Sequence, residues 1–95
     1  MSLLSANSAW AEGAQISIKD HIFTPETLTI STGTKVTWTN YDQDPHTVVE
    51  HGSPIRFRSS ALDTNDSYSY NFNTPGTYSY FCTLHPVMMG KIIVR

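Results

Sequence analysis

The chain of 95 residues contains a single cysteine, Cys82, which excludes an intramolecular disulfide, so packing or a bound metal must hold the fold together. Charged residues make up only 15% of the sequence, the formal net charge is −2, and basic residues form no cluster. This charge pattern argues against nucleic acid or an anionic membrane as a partner. Apolar runs also fall short of the ~20 residues that a transmembrane helix needs.

The first fourteen residues have a pattern of their own. Ser8-Ala9-Trp10-Ala11 ends in the Ala-x-Ala pattern that precedes a signal-peptidase cleavage site. The segment before it is too short and lacks the positive charge of a complete signal peptide. We therefore predict that residues 1–14 are a signal-peptide remnant or a disordered leader, with cleavage after Ala11 and a periplasmic location. Residues 15–95 are predicted to form one small domain with a modest core.

From residue 15 onward, apolar and polar residues alternate with the period of two that is typical of half-buried strands. Ile16 and Ile18 alternate with polar neighbours, and Val36 and Trp38 alternate with threonine and lysine. Turns rich in proline, glycine, asparagine and aspartate separate further predicted strands at 28–30, 46–49, 55–59, 67–72, 77–81 and 90–94. Seven or eight short strands at this spacing predict an all-β, antiparallel β-sandwich. We predict no helix.

Four residues form a set of soft metal ligands. Segment 82–88 reads Cys-x2-His-x2-Met, and His46 lies 36 residues before Cys82, at the end of an Asp-Gln-Asp-Pro loop. Taken singly, a cysteine or methionine in such a stretch is more often a core residue than a ligand. Together, two histidines, one cysteine and a distant methionine are the ligand set of a blue-copper electron-transfer site. We therefore predict that His46, Cys82, His85 and Met88 bind one copper ion.

Several segments match a known sequence pattern. They are Phe-Thr-Pro at 23–25, Gly-Thr-Lys-Val-Thr-Trp-Thr-Asn at 33–40, Pro-His-Thr-Val at 45–48, Gly-Thr-Tyr-Ser-Tyr-Phe-Cys at 76–82 and Gly-Lys-Ile-Ile-Val at 90–94. On these motifs, residues 15–95 resemble the cupredoxins. The two-residue spacings in the loop from Cys82 to Met88 resemble the amicyanin type within the plastocyanin-like group, whose other members have longer loops. The resemblance implies a Greek-key sandwich and one-electron transfer by a copper ion cycling between Cu(II) and Cu(I).

The resemblance also implies a role for each ligand. His46 and His85 would bind copper through ring nitrogens and Cys82 through its thiolate. Met88 would be the distant axial ligand, with the adjacent Met89, which is able to compete for that place, turned outward. Thr47 stands where many relatives have asparagine, and we expect its backbone N–H to donate to the Cys82 sulfur.

Three other polar residues have weaker functional signals. Asn40 either ties the His46 loop to the 82–88 loop through its side-chain amide or is an ordinary turn residue. His21 and His51 are expected to be surface or loop histidines rather than ligands.

These features favour a small electron carrier of the periplasm. The alternative is a copper-binding or copper-delivery protein without a dedicated redox partner, although the methionine-rich and histidine-rich tracts that would favour it are absent. An enzyme is not expected, because four protein ligands close the metal to substrate and further histidine pairs are missing.

The docking surface is predicted around one ligand. We expect the ring edge of His85 to reach an apolar surface formed with Pro86, Val87 and Met89. Such surfaces suit weak, short-lived encounters. The resemblance suggests a dehydrogenase as electron donor and a c-type cytochrome as acceptor, and the chain is expected to be a monomer.

Overall fold

A computed structural model describes residues 13–95, which form eight strands and no helix. The strands are β1 Ala14–Lys19, β2 Ile22–Thr24, β3 Thr27–Ile30, β4 Thr34–Asn40, β5 Val49–Glu50, β6 Ser67–Phe72, β7 Gly76–Phe81 and β8 Met89–Val94. The predicted leader and its cleavage after Ala11 lie outside the described residues, apart from Gly13 and Ala14. Within the described range, no helix is long and apolar enough to cross a membrane.

The strands form two four-stranded sheets, in the orders β2-β1-β4-β6 and β3-β8-β7-β5. The predicted β-sandwich is therefore confirmed, but its sheets are mixed rather than wholly antiparallel. β1 pairs with β4 in parallel, and β3 pairs with β8 in parallel, while the other pairings are antiparallel. The reason is that the chain leaves the first sheet after the β1–β2 hairpin, forms β3 in the second sheet, and then returns to the free side of β1.

The core lies between the two sheets and follows the alternation of the strands. In β4, Val36 and Trp38 point inward and are fully buried, as the period-two pattern predicts. The Trp38 ring contacts the Tyr80 ring edge-on from the facing sheet, with the ring centroids 5.3 Å apart. Burial raises the pKa of the Tyr80 hydroxyl to about 12. The core therefore extends from one sheet to the other through aromatic contacts.

The predicted strands at 46–49 and 55–59 are wrong as regular elements. Only Val49–Glu50 forms a strand. An isolated bridge from Val49 to Arg58 joins the two segments, and a second bridge joins His46 to Leu62, which lies beyond the second segment. Backbone bonds run from the Ser59 N–H to the Val48 carbonyl and from the Glu50 N–H to the Phe57 carbonyl, but the Val48 N–H donates to the Ser59 hydroxyl instead of to a backbone carbonyl. An alternating sequence cannot reveal this, because irregular and regular extended segments share the same pattern.

Four segments meet at one end of the sandwich. Three of them are the β1–β2 turn, the loop that follows β4 and contains His46, and the loop that connects β7 to β8. The fourth is the segment around Leu62, which pairs with His46 through an isolated bridge. β1 and β4 run in parallel and both end at this edge, so the residues that follow them come together.

Candidate metal centre

The loop from Cys82 to Met88 is closed on itself by backbone hydrogen bonds. The Cys82 N–H donates to the Met88 carbonyl over 3.1 Å, and the Met88 N–H donates to the His85 carbonyl over 2.8 Å. The loop begins directly after β7 and ends directly before β8, which are paired, so its two ends are held at a fixed separation. Cys82 and Met88 are buried, and His85 is half-buried.

His46 lies in the segment between β4 and β5, and its side chain approaches Cys82. Its backbone N–H donates to the Leu62 carbonyl and its carbonyl accepts from the Leu62 N–H, and its side chain is fully buried. The Nδ1 atom of His46 lies 3.8 Å from the Cys82 sulfur, and the Nδ1 atom of His85 lies at the same distance, 3.8 Å. Two imidazole nitrogens thus converge on one thiol.

These distances allow a direct test of whether a metal fits. Bonds of about 2.3 Å to sulfur and about 2.0–2.1 Å to nitrogen, the lengths found for Zn²⁺, would separate the two atoms by about 3.7–3.8 Å if they met at about 120°. A tetrahedral angle with the same bonds would give about 3.5 Å. The observed 3.8 Å from the Cys82 sulfur to each Nδ1 matches the trigonal arrangement of a blue-copper site. The Cys82 sulfur and the two Nδ1 atoms are therefore close enough to bind one metal ion together.

Thr47 joins the two ligand-bearing loops. Its backbone N–H lies 3.4 Å from the Cys82 sulfur, as expected from the sequence, and its hydroxyl accepts from the Thr83 N–H over 2.7 Å. The two hydroxyls of Thr47 and Thr83 are also 2.8 Å apart. A donor aimed at a thiolate stabilises negative charge on sulfur. Thr47 thus tunes the sulfur and also connects the loops.

The side chain of Asn40 bonds to residues other than those of the 82–88 loop, which was one of the two possibilities considered. Its side-chain NH₂ donates to the carbonyls of Asp44 and Leu62, and its Oδ1 accepts from the Asp42 N–H. The fully buried amide therefore braces the loop between β4 and His46 against the Leu62 segment. These side-chain bonds do not reach the 82–88 loop, which is bonded instead to Thr47.

His21 is the residue that sequence reasoning set aside and the structure brings to the site. Ligand atoms of His21, His46 and His85 lie within 4.8 Å of one another, and the His21 ring lies edge-on to both other rings. The His21 side chain remains 46% exposed, as a surface histidine should. Its Nε2 is 3.0 Å from Asp44 Oδ2 and its Nδ1 is 3.9 Å from Asp42 Oδ2, so both nitrogens face carboxylates.

A tight two-residue turn places His21 at the site. Lys19 pairs with Ile22, so Asp20 and His21 form the whole β1–β2 loop, and both have positive φ. His51, the other histidine expected not to be a ligand, is exposed and lies edge-on to Phe81 with ring centroids 5.8 Å apart.

Asp42 is a nearly buried carboxylate at the back of the site. Its Oδ2 lies 2.8 Å from His46 Nε2, and its two oxygens accept from the N–H groups of Asp20 and His21. Burial opposes ionisation, but the N–H groups of His21 and Asp20 and the bond from His46 outweigh it and lower the pKa of Asp42 to about 2. Asp42 is therefore a carboxylate at neutral pH.

Comparison with known proteins agrees with this geometry. A family model described as the Cupredoxin-like domain matches residues 1–94. Amicyanin-alpha of Methylorubrum extorquens is 36% identical over 98% of this chain and 81% of its own length. The chain is a cupredoxin. This cupredoxin is also 40% identical over 78% of its length to the chloroplastic plastocyanin of Tetradesmus obliquus.

Coverage of these relatives is uneven. The cupredoxin matches 56% of the length of Paracoccus versutus amicyanin, at 40% identity over 76% of its own chain, and 59% of the Tetradesmus obliquus protein. The chain thus spans little more than half the length of some relatives.

Solved structures show the same fold, and one of them is a Cu(I) form. A purple cupredoxin from Nitrosopumilus maritimus superposes with a TM-score of 0.81 at 33% identity, covering 86% of this chain and 99% of that one. A methionine-to-alanine variant of amicyanin in its Cu(I) form superposes with a TM-score of 0.81 at 29% identity, covering 87% and 82%. The His46, Cys82 and His85 donors of this cupredoxin are suited to a copper ion.

The choice of axial ligand is open to direct test. Met88 is 3% exposed and Met89 is 63% exposed, so Met88→Gln is expected to change the visible spectrum and reduction potential of the copper protein, whereas Met89→Gln leaves both unchanged. The two variants are matched controls, since they make the same chemical change at adjacent positions. A shift caused by Met89→Gln alone would instead make Met89 the axial ligand.

Proposed function

We propose that this cupredoxin is a type 1 copper protein that carries single electrons between redox partners and is not an enzyme. The supporting observation is the placement of the Cys82 sulfur 3.8 Å from Nδ1 of both His46 and His85. When bound, copper supplies the one-electron Cu(II)/Cu(I) couple. His46, Cys82 and His85 would hold it, with Met88 as the fourth ligand.

The surroundings of these residues suit repeated electron transfer. His46 is held by two backbone bonds to Leu62, and Cys82 is held by the Met88 carbonyl and by the N–H of Thr47. Ligands fixed in this way change position little when the metal changes oxidation state. The site is therefore preorganised for both states, which favours electron transfer over one-way copper delivery.

His85 is the proposed route for electrons to leave and enter. It is half-buried, and the neighbouring Val87 and Met89 side chains are 90% and 63% exposed. Pro86 and Met89 also line an open groove of about 660 Å³ that continues toward Phe81 and His51. An apolar surface of this kind suits weak, rapidly dissociating partners. We propose that redox proteins, such as a dehydrogenase donor and a c-type cytochrome acceptor, dock there.

The proposed location is the periplasm, and the Ala-x-Ala pattern before residue 12 supports it. The proposed blue-copper domain comprises residues 15–95.

The proposal is tested by adding one equivalent of Cu(II) to the purified apoprotein and recording optical and EPR spectra. A blue-copper carrier gives an intense blue absorption and a narrow copper hyperfine splitting. A pale, ordinary Cu(II) spectrum would mean that Cys82 is not a ligand, and copper handling would replace electron transfer as the function.

The docking surface makes a separate prediction. Val87→Ala combined with Met89→Ala is expected to slow electron exchange with a c-type cytochrome about fivefold to tenfold, because truncated interface residues that matter cost about 1 kcal/mol or more. The reduction potential of the variant should remain unchanged, which separates docking from copper chemistry. Asp63→Asn, which removes an exposed negative charge outside this surface, provides the comparison. A native rate for the double variant together with a slower Asp63→Asn reaction would contradict docking at this surface.

A further inference from the structure

Asp42 contacts a proposed copper ligand but is neither a metal ligand nor part of the docking surface. Its carboxylate lies 2.8 Å from Nε2 of His46, whose side chain is fully buried. An ionised carboxylate only accepts hydrogen bonds, so the His46 nitrogen at this contact must carry the hydrogen. The opposite nitrogen, Nδ1, is then left with its lone pair directed toward Cys82. Asp42 thus selects the tautomer of His46 that binds metal.

The Asp42 carboxylate is itself held in place. The N–H of Asp20 donates to Oδ1 over 2.7 Å, and the N–H of His21 donates to Oδ2 over 2.9 Å. Both donors belong to the two-residue β1–β2 turn, with φ of 55° and 60°. Consecutive N–H groups in such a turn form a cradle for an anion. Positive φ is unfavourable for residues other than glycine, and these bonds offset part of that cost.

A third support comes from the main chain of Asp42. Its N–H donates to Oδ1 of the fully buried Asn40 over 2.8 Å, and its carbonyl accepts from the Thr64 hydroxyl over 2.6 Å. Backbone and carboxylate are therefore both anchored, and the carboxylate cannot rotate away from His46 without losing several bonds. A fixed, nearly buried negative charge beside a ligand acts more strongly than an exposed one.

We propose that Asp42 is a positioning residue that orients His46 through Nε2 and, by its negative charge, favours Cu(II) over Cu(I). The proposal rests on the copper site described above. A carboxylate that accepts the hydrogen bond of a ligating imidazole raises the basicity of that ligand. The more positive oxidation state gains more from this charge, so Asp42 lowers the reduction potential of the protein.

The main test replaces Asp42 by asparagine, which keeps the size of the side chain and one acceptor oxygen but removes the charge. Replacing the hydrogen-bond partner of a metal ligand typically lowers metal affinity by about 10-fold to 100-fold. We expect Asp42→Asn to lower Cu(II) affinity by about that factor while Cu(I) affinity changes less. The reduction potential then rises, by about 59 mV for each tenfold change in the ratio of the two affinities.

Asp44→Asn is the matched control. It removes the same charge two residues along the chain, at a side chain that is 58% exposed and contacts His21 rather than His46. We expect a much smaller rise in potential, because an exposed charge is screened by water. Equal shifts for the two variants would show that only the total negative charge matters, and would overturn the positioning role.

A measurement on the unaltered protein covers the case in which Asp42→Asn does not fold. In the Cu(I) protein, which is diamagnetic, NMR should detect the His46 Nε2 proton as a slowly exchanging signal. Absence of that proton would overturn the proposal. The outcomes also separate the two proposals: no blue spectrum in the native protein means that the copper carrier itself is wrong. Native and Asp42→Asn proteins that are both blue and share one potential mean that only the role of Asp42 is wrong.

Discussion

Gly90→Ala is expected to destabilise the apoprotein by roughly 3 kcal/mol, a large part of the stability of a small domain, or to prevent folding. Gly90 in β8 lies directly opposite Tyr80 in β7. A methyl group on Gly90 would lie 2.3 Å from both Cζ and the hydroxyl oxygen of Tyr80, far inside contact distance. Equilibrium unfolding in urea, followed by far-UV circular dichroism, measures the loss.

The Tyr80 ring has no room to give way. It is 1% exposed, and the rings of Phe23, Trp38 and Phe57 surround it with centroid separations of 4.8, 5.3 and 6.4 Å. Gly52→Ala is the control, because its nearest contact would be an ordinary 3.4 Å to the Glu50 carboxylate. Equal stability of the Gly90→Ala and Gly52→Ala proteins would show that Tyr80 moves and that the close packing of β7 on β8 is not required.

The second large effect concerns the thiolate. In Cys82→Ser, the intense blue absorption of the Cu(II) protein should disappear completely, because that absorption requires sulfur bound to copper. The variant should still fold, since a serine oxygen can accept the hydrogen bond that the Thr47 N–H makes with sulfur over 3.4 Å. Cu(I) affinity should fall more than Cu(II) affinity, because a hydroxyl is a harder ligand than a thiolate.

Spectra and affinities of Cys82→Ser are best compared with those of Thr83→Ser, which changes the adjacent residue but keeps the hydroxyl that contacts Thr47. Thr83→Ser should stay blue. A blue Cys82→Ser protein would exclude Cys82 as a ligand and, with it, the proposed type 1 site. The unfolding midpoint of both apoproteins confirms that any loss of colour is not a loss of fold.

Much of the fold can be predicted from local sequence, and the predictions that fail do so for a physical reason. Alternation in β4 correctly predicts that Val36 and Trp38 are buried, because side chains of a strand point to opposite faces in turn. The prediction of regular strands is wrong at 46–49 and 55–59, although burial still alternates from Phe57 to Ser59. There, a few backbone bonds and the side-chain bond from the Val48 N–H to the Ser59 hydroxyl hold two extended segments that are joined by a single bridge. Parallel pairing of β1 with β4 was also missed, because strand direction depends on how the chain crosses between sheets.

The sequence by itself determined the kind of chemistry. A thiol, an imidazole and a thioether at two-residue spacings, with a second histidine upstream, specify soft metal ligands because ligand type depends only on residue identity. It also determined that the chain forms a β-sandwich, because the period of two is a local property.

Only the tertiary structure decided what surrounds the ligands. Asp42 contacts His46 and the β1–β2 turn, and His21 packs against His46 and His85, although 21 residues or more separate His21 from Asp42 and from both histidines. Such contacts depend on which strands end at the same edge and on how two loops pack there. No local pattern encodes that, and although Asp42 is only four residues from His46, the conformation that places its carboxylate against this proposed ligand depends on the distant β1–β2 turn.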